Sequence, residues 1–149
     1  QFSPLSKIKS LSYTEAVISR LEARNAGADD ALTQNTVGLV TGATSSNIFA
    51  VFGNSLVTPP EADGVLLGIG RKVILEEAER LSIFAQEASL SVQDIEVANE
   101  VFLTNVVTGV VPVTFISGKA IHNGLPGNVT KILAEAYQER VKMELLTDG

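Results

Sequence analysis

The sequence predicts a single domain over residues 1–149, of the α/β class with mixed α+β character, and three observations support this prediction. Apolar residues make up 45% of the chain and charged residues 19%, which is the balance of a globular domain that buries a core. Three segments repeat apolar residues at helical spacing, and short apolar runs bounded by glycine, proline and asparagine lie between them. Several of those runs are joined by tight turns, so we expect antiparallel hairpins and not a doubly wound parallel sheet.

The first helix is predicted between residue 11 and Gly27. Val17, Ile18 and Leu21 share its apolar face, and glycine commonly ends a helix. The stretch that follows is rich in threonine, valine and glycine, which predicts short strands around tight turns.

A hairpin is predicted over residues 47–60. Two apolar runs flank Gly53-Asn54, a pair that suits the positive φ of a two-residue turn, and Pro59-Pro60 ends the second strand. A glycine-rich loop then leads into a second helix over residues 71–83. The acidic residues of this helix, among them Glu77, are expected to form a solvated face.

The rest of the chain alternates in the same way. A strand is predicted over residues 83–90, Ser91 is placed to cap a short helix, and a buried strand follows over residues 100–105. Residues 110–124 predict a strand, a glycine-containing turn and a second strand, and residues 128–146 predict the last helix.

Charge and composition exclude several classes of function. The formal net charge of −6 argues against nucleic acid or an anionic membrane as partner, because clustered lysine and arginine bind both. Cysteine is absent and His122 is the only histidine, so we expect neither a disulfide nor a metal site. No apolar run approaches the roughly 20 residues that span a bilayer.

The N-terminus of the chain also predicts something about its origin. It opens at Gln1 without an initiator methionine or a signal peptide, so we expect processing or truncation. Because no targeting signal is present in these residues, we expect a cytoplasmic protein, or a plastid protein if the source is a plant.

Two glycine-flanked turns could bind an anion. GIGR, residues 68–71, stands at the predicted start of a helix, where backbone N–H groups and the helix dipole favour negative charge. TNVVTG, residues 104–109, follows the buried strand and could serve the opposite side of the same phosphate. Either turn alone is weak support, because most helix N-termini hold no ligand.

Lys9 is the candidate nucleophile. A lysine just before a helix is usually a solvated surface residue. The functional interpretation needs a buried amine that can form an imine with an aldehyde, and the local sequence alone does not distinguish the two.

Seven segments follow one another along the chain: KSLSY, TSSNIF, LVTPP, GIGR, EVFLTN, GVVPV and an NG turn before the last helix. Their order resembles the class IV aminotransferase-like family of pyridoxal-phosphate-dependent enzymes, over essentially all 149 residues. The resemblance implies the C-terminal, cofactor-binding domain of the D-amino-acid aminotransferase-like fold, a mixed sheet or pseudo-barrel packed with helices. KSLSY, SSNIF, LVTPP and EVFLTN with GVVPV look most like aminodeoxychorismate lyases, which make 4-aminobenzoate and pyruvate.

The resemblance assigns the covalent chemistry to Lys9. In the family the equivalent lysine forms a Schiff base with pyridoxal 5'-phosphate and is the catalytic residue. Tyr13 matches a tyrosine that touches the phenolic oxygen of the cofactor. Asn47 is also placed among the cofactor-binding residues, although an asparagine in a turn more often satisfies its own backbone.

The resemblance assigns the phosphate of the cofactor to the two glycine-flanked turns. The backbone amides of Ile69 and Gly70 would bind it, with Arg71 beside them, although Arg71 could equally pair with a carboxylate. Thr104 and Asn105 would give further contacts from the second turn.

Two positions depart from the family pattern. The family has a glutamate that pairs with the pyridinium nitrogen five residues before the asparagine of SNIF, and here that position is Gly42. A hydroxyl of Thr41 or Thr44 could hydrogen-bond the nitrogen but would not keep it protonated as a carboxylate does. Gly70 stands where the phosphate turn usually has threonine, which removes one hydroxyl and keeps the backbone amide.

The resemblance also implies partners. Family members have a smaller N-terminal domain before the lysine, which this chain lacks, and they usually form homodimers that act on small amino-acid-like substrates. Three hypotheses therefore stay open: an aminodeoxychorismate lyase-like enzyme represented by a fragment, a D-amino-acid or branched-chain aminotransferase, and a non-catalytic module that keeps the fold.

Overall fold

The structure is a computed structural model, and it describes residues 14–147. Its α-helices are α1 (Thr14–Asn25), α2 (Ile69–Arg80), α3 (Val92–Glu96) and α4 (Asn128–Thr147), and one 3-10 turn spans Glu61–Asp63. Its strands are β1 (Leu32–Gln34), β2 (Val40–Ala43), β3 (Asn47–Phe52), β4 (Ser55–Thr58), β5 (Phe84–Glu87), β6 (Glu100–Asn105), β7 (Gly109–Val113), β8 (Phe115–Ile116) and β9 (Lys119–Ala120). The predicted mixture of helices and hairpins is confirmed.

A five-stranded sheet with the order β5-β4-β3-β6-β7 forms the centre of the molecule. Strands β3 and β4 form the predicted hairpin, with Phe52 opposite Ser55 and Gly53 at a φ of +59° in the turn. In this sheet only β4 and β5 are parallel, because α2 makes the crossover between them. The smaller pairs β1-β2 and β8-β9 lie outside it.

Both faces of the central sheet are covered, which explains why β3 is buried along almost its whole length. On one face Phe49 of β3 stacks on Phe102 of β6, with ring centroids 5.0 Å apart, and Ile74 of α2 and Leu133 of α4 cover them. On the other face Ile95 of α3 and other residues outside the sheet pack against four side chains of β3 and β6, namely Ile48, Ala50, Val101 and Leu103. Aromatic and aliphatic burial of this kind is the main source of stability in such a domain.

Helix α1 is amphipathic, as predicted, but its apolar face is little used within residues 14–147. Of its side chains there, Ala23 is buried, whereas Val17, Ile18 and Leu21 are each about half exposed. Gly27 adopts a φ of +81° just after the helix, as the prediction of a glycine end requires.

The prediction for Glu77 was wrong. The residue is only 3% exposed, and its carboxylate lies between two arginines, with Oε2 2.6 Å from Arg80 Nε and Oε1 3.4 Å from Arg140 Nη1. Helix α4 packs on α2 at this point and brings Arg140 across, so the carboxylate is buried in an ion-paired network. The helix face that looked solvated in the sequence is partly a helix–helix contact.

No helix in the described part of the chain combines the length and the apolar character that a membrane crossing requires. Helix α4 has 20 residues, but charged side chains recur along it.

Candidate functional site

Two of the predicted site residues face each other at the ends of two central strands of the sheet. Asn47 is the first residue of β3, and Thr104 is the residue of β6 directly opposite it in the antiparallel register. The residues that follow Asn47 in β3 and precede Thr104 in β6 are buried in the core, which fixes the position of this cross-strand pair.

The GIG turn, residues 68–70, lies against the Asn47–Thr104 pair. Helix α2 begins at Ile69, two residues before the predicted start, so that Gly68 is its N-cap and Gly70 lies in its first turn. A β-carbon on Gly68 would collide with Asn47 Oδ1, and one on Gly70 would lie 2.9 Å from Thr104 Oγ1. The two glycines therefore allow the helix to start directly against the Asn47–Thr104 pair.

The hydroxyl of Thr104 is buried and unpaired. The residue is 1% exposed, and Oγ1 has no hydrogen-bond partner among the described residues. Helix α2 has no side-chain cap at Gly68, so its first N–H groups have no acceptor within the helix. Donors from a helix start and a buried hydroxyl thus meet at one place.

Asn47 and Asn105 shape the loops around this place. Asn47 Nδ2 donates to Leu66 O at 2.7 Å and fixes the segment before α2. Asn105 Nδ2 donates to Ser46 Oγ at 2.9 Å, while its Oδ1 accepts from the backbone N–H groups of the turn that follows β6. Both side chains are engaged with the protein and hold the turns in position.

Arg71 lies beneath the turn. The residue is only 4% exposed, and Nη2 donates to Pro59 O at 3.2 Å and to Glu87 Oε1 at 2.7 Å. The carboxylate partner therefore comes from strand β5, and the guanidinium ties the start of α2 to β4 and β5. Ile69, by contrast, is 68% exposed, so only its backbone contributes to the turn.

The structure thus brings together six of the eight predicted site residues, although their contacts differ: Asn47, Ile69, Gly70, Arg71, Thr104 and Asn105. Lys9 and Tyr13 lie outside the described residues. Ser46, which accepts a hydrogen bond from Asn105, was not among the predicted site residues, and Gly68, which lies against Asn47, was predicted only as part of the GIGR turn. The alternation of glycines at 68 and 70 was the available signal, because two close approaches on one side of a turn call for that spacing.

Residues 1–116 match the family model described as amino-transferase class IV. The chain belongs to the class IV aminotransferase family. The resemblance inferred from the order of the motifs is therefore confirmed, and so is the mixed α/β fold.

This class IV aminotransferase chain spans about half the length of each of three relatives. A provisionally named branched-chain-amino-acid aminotransferase of Methanocaldococcus jannaschii is 36% identical over 132 residues, which cover 89% of this chain and 46% of that protein. A crystal structure of a branched-chain amino acid aminotransferase complexed with N-(5'-phosphopyridoxyl)-L-glutamate matches with a TM-score of 0.89 at 30% identity, over 93% of this chain and 47% of its own. A Legionella pneumophila protein provisionally named 4-amino-4-deoxychorismate lyase gives 0.83 at 36% identity, over 92% and 51%.

In this family member Gly42 lies in strand β2, next to the turn that leads into β3. It has a φ of +149°, and a β-carbon there would lie 2.5 Å from Ser46 O. Ala43 N donates to the same carbonyl at 2.9 Å and closes the loop. A side chain at residue 42 would therefore need a different backbone, so the expected glutamate is not merely replaced in an unchanged loop.

The two hydroxyls that could compensate for the missing glutamate already have partners. Thr41 Oγ1 lies 2.9 Å from Thr33 Oγ1 in the β1-β2 pair. Thr44 Oγ1 donates to Asp30 Oδ1 at 2.5 Å. Because a hydroxyl has only one proton to donate, Thr44 has none left for a ring nitrogen.

Proposed function

We propose that this chain is the cofactor-binding part of a pyridoxal-phosphate-dependent aminotransferase that acts on amino acids. The single observation that supports it most is the meeting of an open helix start with the unpaired Thr104 hydroxyl at the GIG turn. The relative whose crystal structure has a phosphopyridoxyl compound bound supports the identity of the cofactor.

The phosphate end of the cofactor fits the residues present. The backbone N–H groups of Ile69 and Gly70 stand at the positive end of the α2 dipole, where anions bind favourably. Gly68 and Gly70 have no β-carbon to block a close approach, and Thr104 offers an unused hydroxyl. These residues would hold the phosphate group.

The ring-nitrogen end does not fit the family pattern. Gly42 supplies no carboxylate, and the Thr44 hydroxyl is committed to Asp30. The ring would therefore withdraw electrons from a substrate less strongly than in a relative with the glutamate. This is the observation that favours the alternative of a non-catalytic module.

Lys9 would complete the site. When bound, the cofactor supplies an aldehyde that joins covalently to amines and a ring that withdraws electrons. Lys9 would hold the cofactor and, once released, would move the proton at the α carbon of the substrate. Tyr13 would lie near the phenolic oxygen.

Attachment at Lys9 can be tested directly, with Lys7 as a matched control two residues away. We expect borohydride reduction with pyridoxal phosphate to leave a stoichiometric phosphopyridoxyl group on Lys9, located by peptide mass spectrometry. Lys7→Ala should keep the adduct and Lys9→Ala should lose it. An adduct spread over surface lysines would remove the enzyme proposal and leave the structural module in its place.

A lyase is the second candidate, because the Legionella pneumophila relative is as similar in sequence, at 36%, as the Methanocaldococcus jannaschii aminotransferase. The two activities differ in products. Transfer of nitrogen from a branched-chain or D-amino acid to a keto acid would identify the aminotransferase. Release of pyruvate and 4-aminobenzoate from aminodeoxychorismate would identify the lyase.

We further propose that two other polypeptide segments cover the site, one from an N-terminal half of the protein and one from a homodimer partner. The rim around the GIG turn is apolar and exposed, with Leu67, Ile69 and Val107 all more than half exposed. Apolar rims of this kind are typical of surfaces that are buried in an assembly. Light scattering on the protein at its natural length would give the oligomeric state.

Gly42→Glu tests whether the missing carboxylate can be restored by one change. We expect it to lower the free energy of unfolding by about 2–4 kcal/mol, because the side chain meets Ser46 O at a φ that favours glycine. Urea unfolding measures this, and Gly38→Glu is the matched control. Gly38 also has positive φ, at +85°, but a β-carbon there would meet nothing closer than a side-chain oxygen at 3.9 Å, so only about 1 kcal/mol should be lost. Equal losses in the two variants would show that Ser46 O is not the obstacle.

A further inference from the structure

Three asparagines of the described residues close a turn in the same way. The side-chain oxygen Oδ1 of each accepts a hydrogen bond from the backbone N–H two residues further along the chain. They are Asn35, Asn105 and Asn123, whose Oδ1 atoms lie 3.1, 2.9 and 3.0 Å from the donor nitrogens. Because the three side chains share one hydrogen-bond geometry, their surroundings can be compared directly.

The residue that follows each asparagine differs. A threonine follows Asn35 and a valine follows Asn105, so a β-branched side chain crowds the approach of the next backbone nitrogen to the side-chain amide. Gly124 follows Asn123, and this is the only Asn-Gly pair in the sequence. Gly124 has a φ of +74° and no β-carbon, so its nitrogen is the least hindered of the three.

The amide nitrogens Nδ2 also differ in their contacts. In Asn35 this nitrogen donates to Asp63 O at 3.0 Å. In Asn105 it donates to Ser46 Oγ at 2.9 Å. In Asn123 it donates to no group in the described part of the chain, and the residue is exposed between β9 and α4. The loss of Nδ2 from Asn123 would therefore break no hydrogen bond that the described residues make.

We propose that Asn123 is a deamidation site of the folded protein. The backbone nitrogen of Gly124, once its proton has passed to hydroxide, attacks Cγ of Asn123, and the Cγ–Nδ2 bond breaks as ammonia leaves. Water then opens the cyclic imide to aspartate or isoaspartate, so the net reaction consumes water, releases ammonia and needs neither an oxidant nor a reductant. The N–H of Leu125 donates to Oδ1, the atom on which negative charge develops, and stabilises that charge.

One hydrogen bond opposes this reaction. Gly124 N donates to Ile121 O at 2.8 Å and must leave that carbonyl before it can attack. The turn already holds His122 at a φ of +50°, which few residues other than glycine adopt, and exposed turns open locally at small cost. The fold therefore slows the reaction at this turn without preventing it.

The product places a second carboxylate beside Glu100. Asn123 and Glu100 line the same cavity of about 300 Å³ at the start of α4. The Glu100 carboxylate already accepts from Val129 N and Thr130 N there. Because like charges in one cavity repel each other, a carboxylate at residue 123 weakens this helix start. The inference does not depend on the cofactor or on the proposed function.

Ageing of the protein at its natural length and at mildly alkaline pH tests the site. Peptide mass spectrometry follows the acid form of each asparagine, and chromatography separates aspartate from isoaspartate. We expect Asn123 to convert more than about 10-fold faster than Asn35 and Asn105, which requires only a small difference in activation free energy. Equal rates at the three positions would overturn the proposal. Conversion of Asn123 in urea but not in buffer would also overturn it, because the folded protein must react.

Two variants test the effect on α4. Asn123→Asp supplies the charge in advance, and Asn123→Ser is the matched control, because a serine hydroxyl can also accept from the N–H two residues ahead. We expect Asn123→Asp to melt about 1–3 °C lower than Asn123→Ser, which is the effect of one exposed charge pair. The difference should vanish in a Glu100→Gln background. Equal melting temperatures with Glu100 intact would overturn the inferred weakening of α4.

Discussion

Helices α4 and α2 both begin directly after a glycine, but the acceptors for their first N–H groups differ. A glycine immediately precedes each helix: the carbonyl of Gly127 accepts from Lys131 N, and that of Gly68 accepts from Lys72 N. At α4 the carboxylate of Glu100 then fills the N-terminus, accepting from Val129 N at 3.1 Å and Thr130 N at 2.7 Å. At the start of α2, no side chain of the described residues plays this part.

The two helix starts differ in whether a carboxylate of the protein binds their first N–H groups. Glu100 satisfies the free N–H groups of α4 and is held by Thr130 Oγ1 as well, so that helix start is closed. At α2 no carboxylate from residues 14–147 binds the free N–H groups or the Thr104 hydroxyl. The same physical requirement is met by a carboxylate at α4, and no described side chain meets it at α2.

The largest expected effect comes from placing a methyl group at each helix start. Gly127→Ala would put a β-carbon where the Glu100 side chain lies, so the carboxylate must leave its three donors. We expect the free energy of unfolding to fall by about 3–5 kcal/mol. Gly70→Ala, the matched change at α2, should alter it by less than about 1 kcal/mol, because alanine favours helices and only one hydroxyl must move.

Urea unfolding of both variants measures the contrast. Similar losses at the two positions would mean that the start of α2 is as tightly closed as that of α4, and the comparison would fail.

A smaller effect is expected from neutralising the internal anion. Glu100→Gln keeps an oxygen acceptor but removes the charge, and should lower the free energy of unfolding by about 1–3 kcal/mol. Glu96→Gln is the control: its contact with Lys119 Nζ is 3.5 Å long and exposed, so about 0.5 kcal/mol or less should be lost. A Glu100→Gln protein as stable as the control would show that the carboxylate does not matter to α4.

The smallest effect concerns α3, a helix start closed by a capping box. Hydrogen bonds from the side chain and backbone of Ser91 lower the pKa of Asp94 below its usual value of 3.8. A lowered folded-state pKa stabilises the protein above the unfolded value, and this contribution is lost as the pH falls through the folded value. We expect less than about 1 kcal/mol, because the pair is exposed.

Unfolding curves between pH 7 and pH 3 would show this loss in the wild-type protein. It should be absent in Asp94→Asn, and an identical pH dependence in the two proteins would contradict the prediction.

Features of the fold that depend on neighbouring residues could be predicted from the sequence. Contacts between residues far apart in the sequence could not. The Gly53 turn, the Ser91 cap and the length of α4 depend on neighbouring residues, and each was confirmed. The burial of Glu77 depends on Arg140, which is 63 residues away, and no local pattern reports that contact.

The same limit applies to the site. The sequence predicted both turns as anion-binding candidates. That they meet beside Asn47 follows from the register of β3 and β6, which the sequence did not predict. That register depends on the whole core. The redirection of Arg71 to Glu87 likewise depends on where β5 joins the sheet.

The side chain of Asn105 links the turn after β6 to the turn before β3 through hydrogen bonds. With one end of its amide it organises the turn after β6, and with the other it holds Ser46, 59 residues earlier in the chain. The carbonyl of Ser46 is in turn what closes the loop at Gly42. Rigidity gained by the β6 turn when a ligand settles against it would therefore be transmitted to the Gly42 loop without any contact between that loop and the ligand.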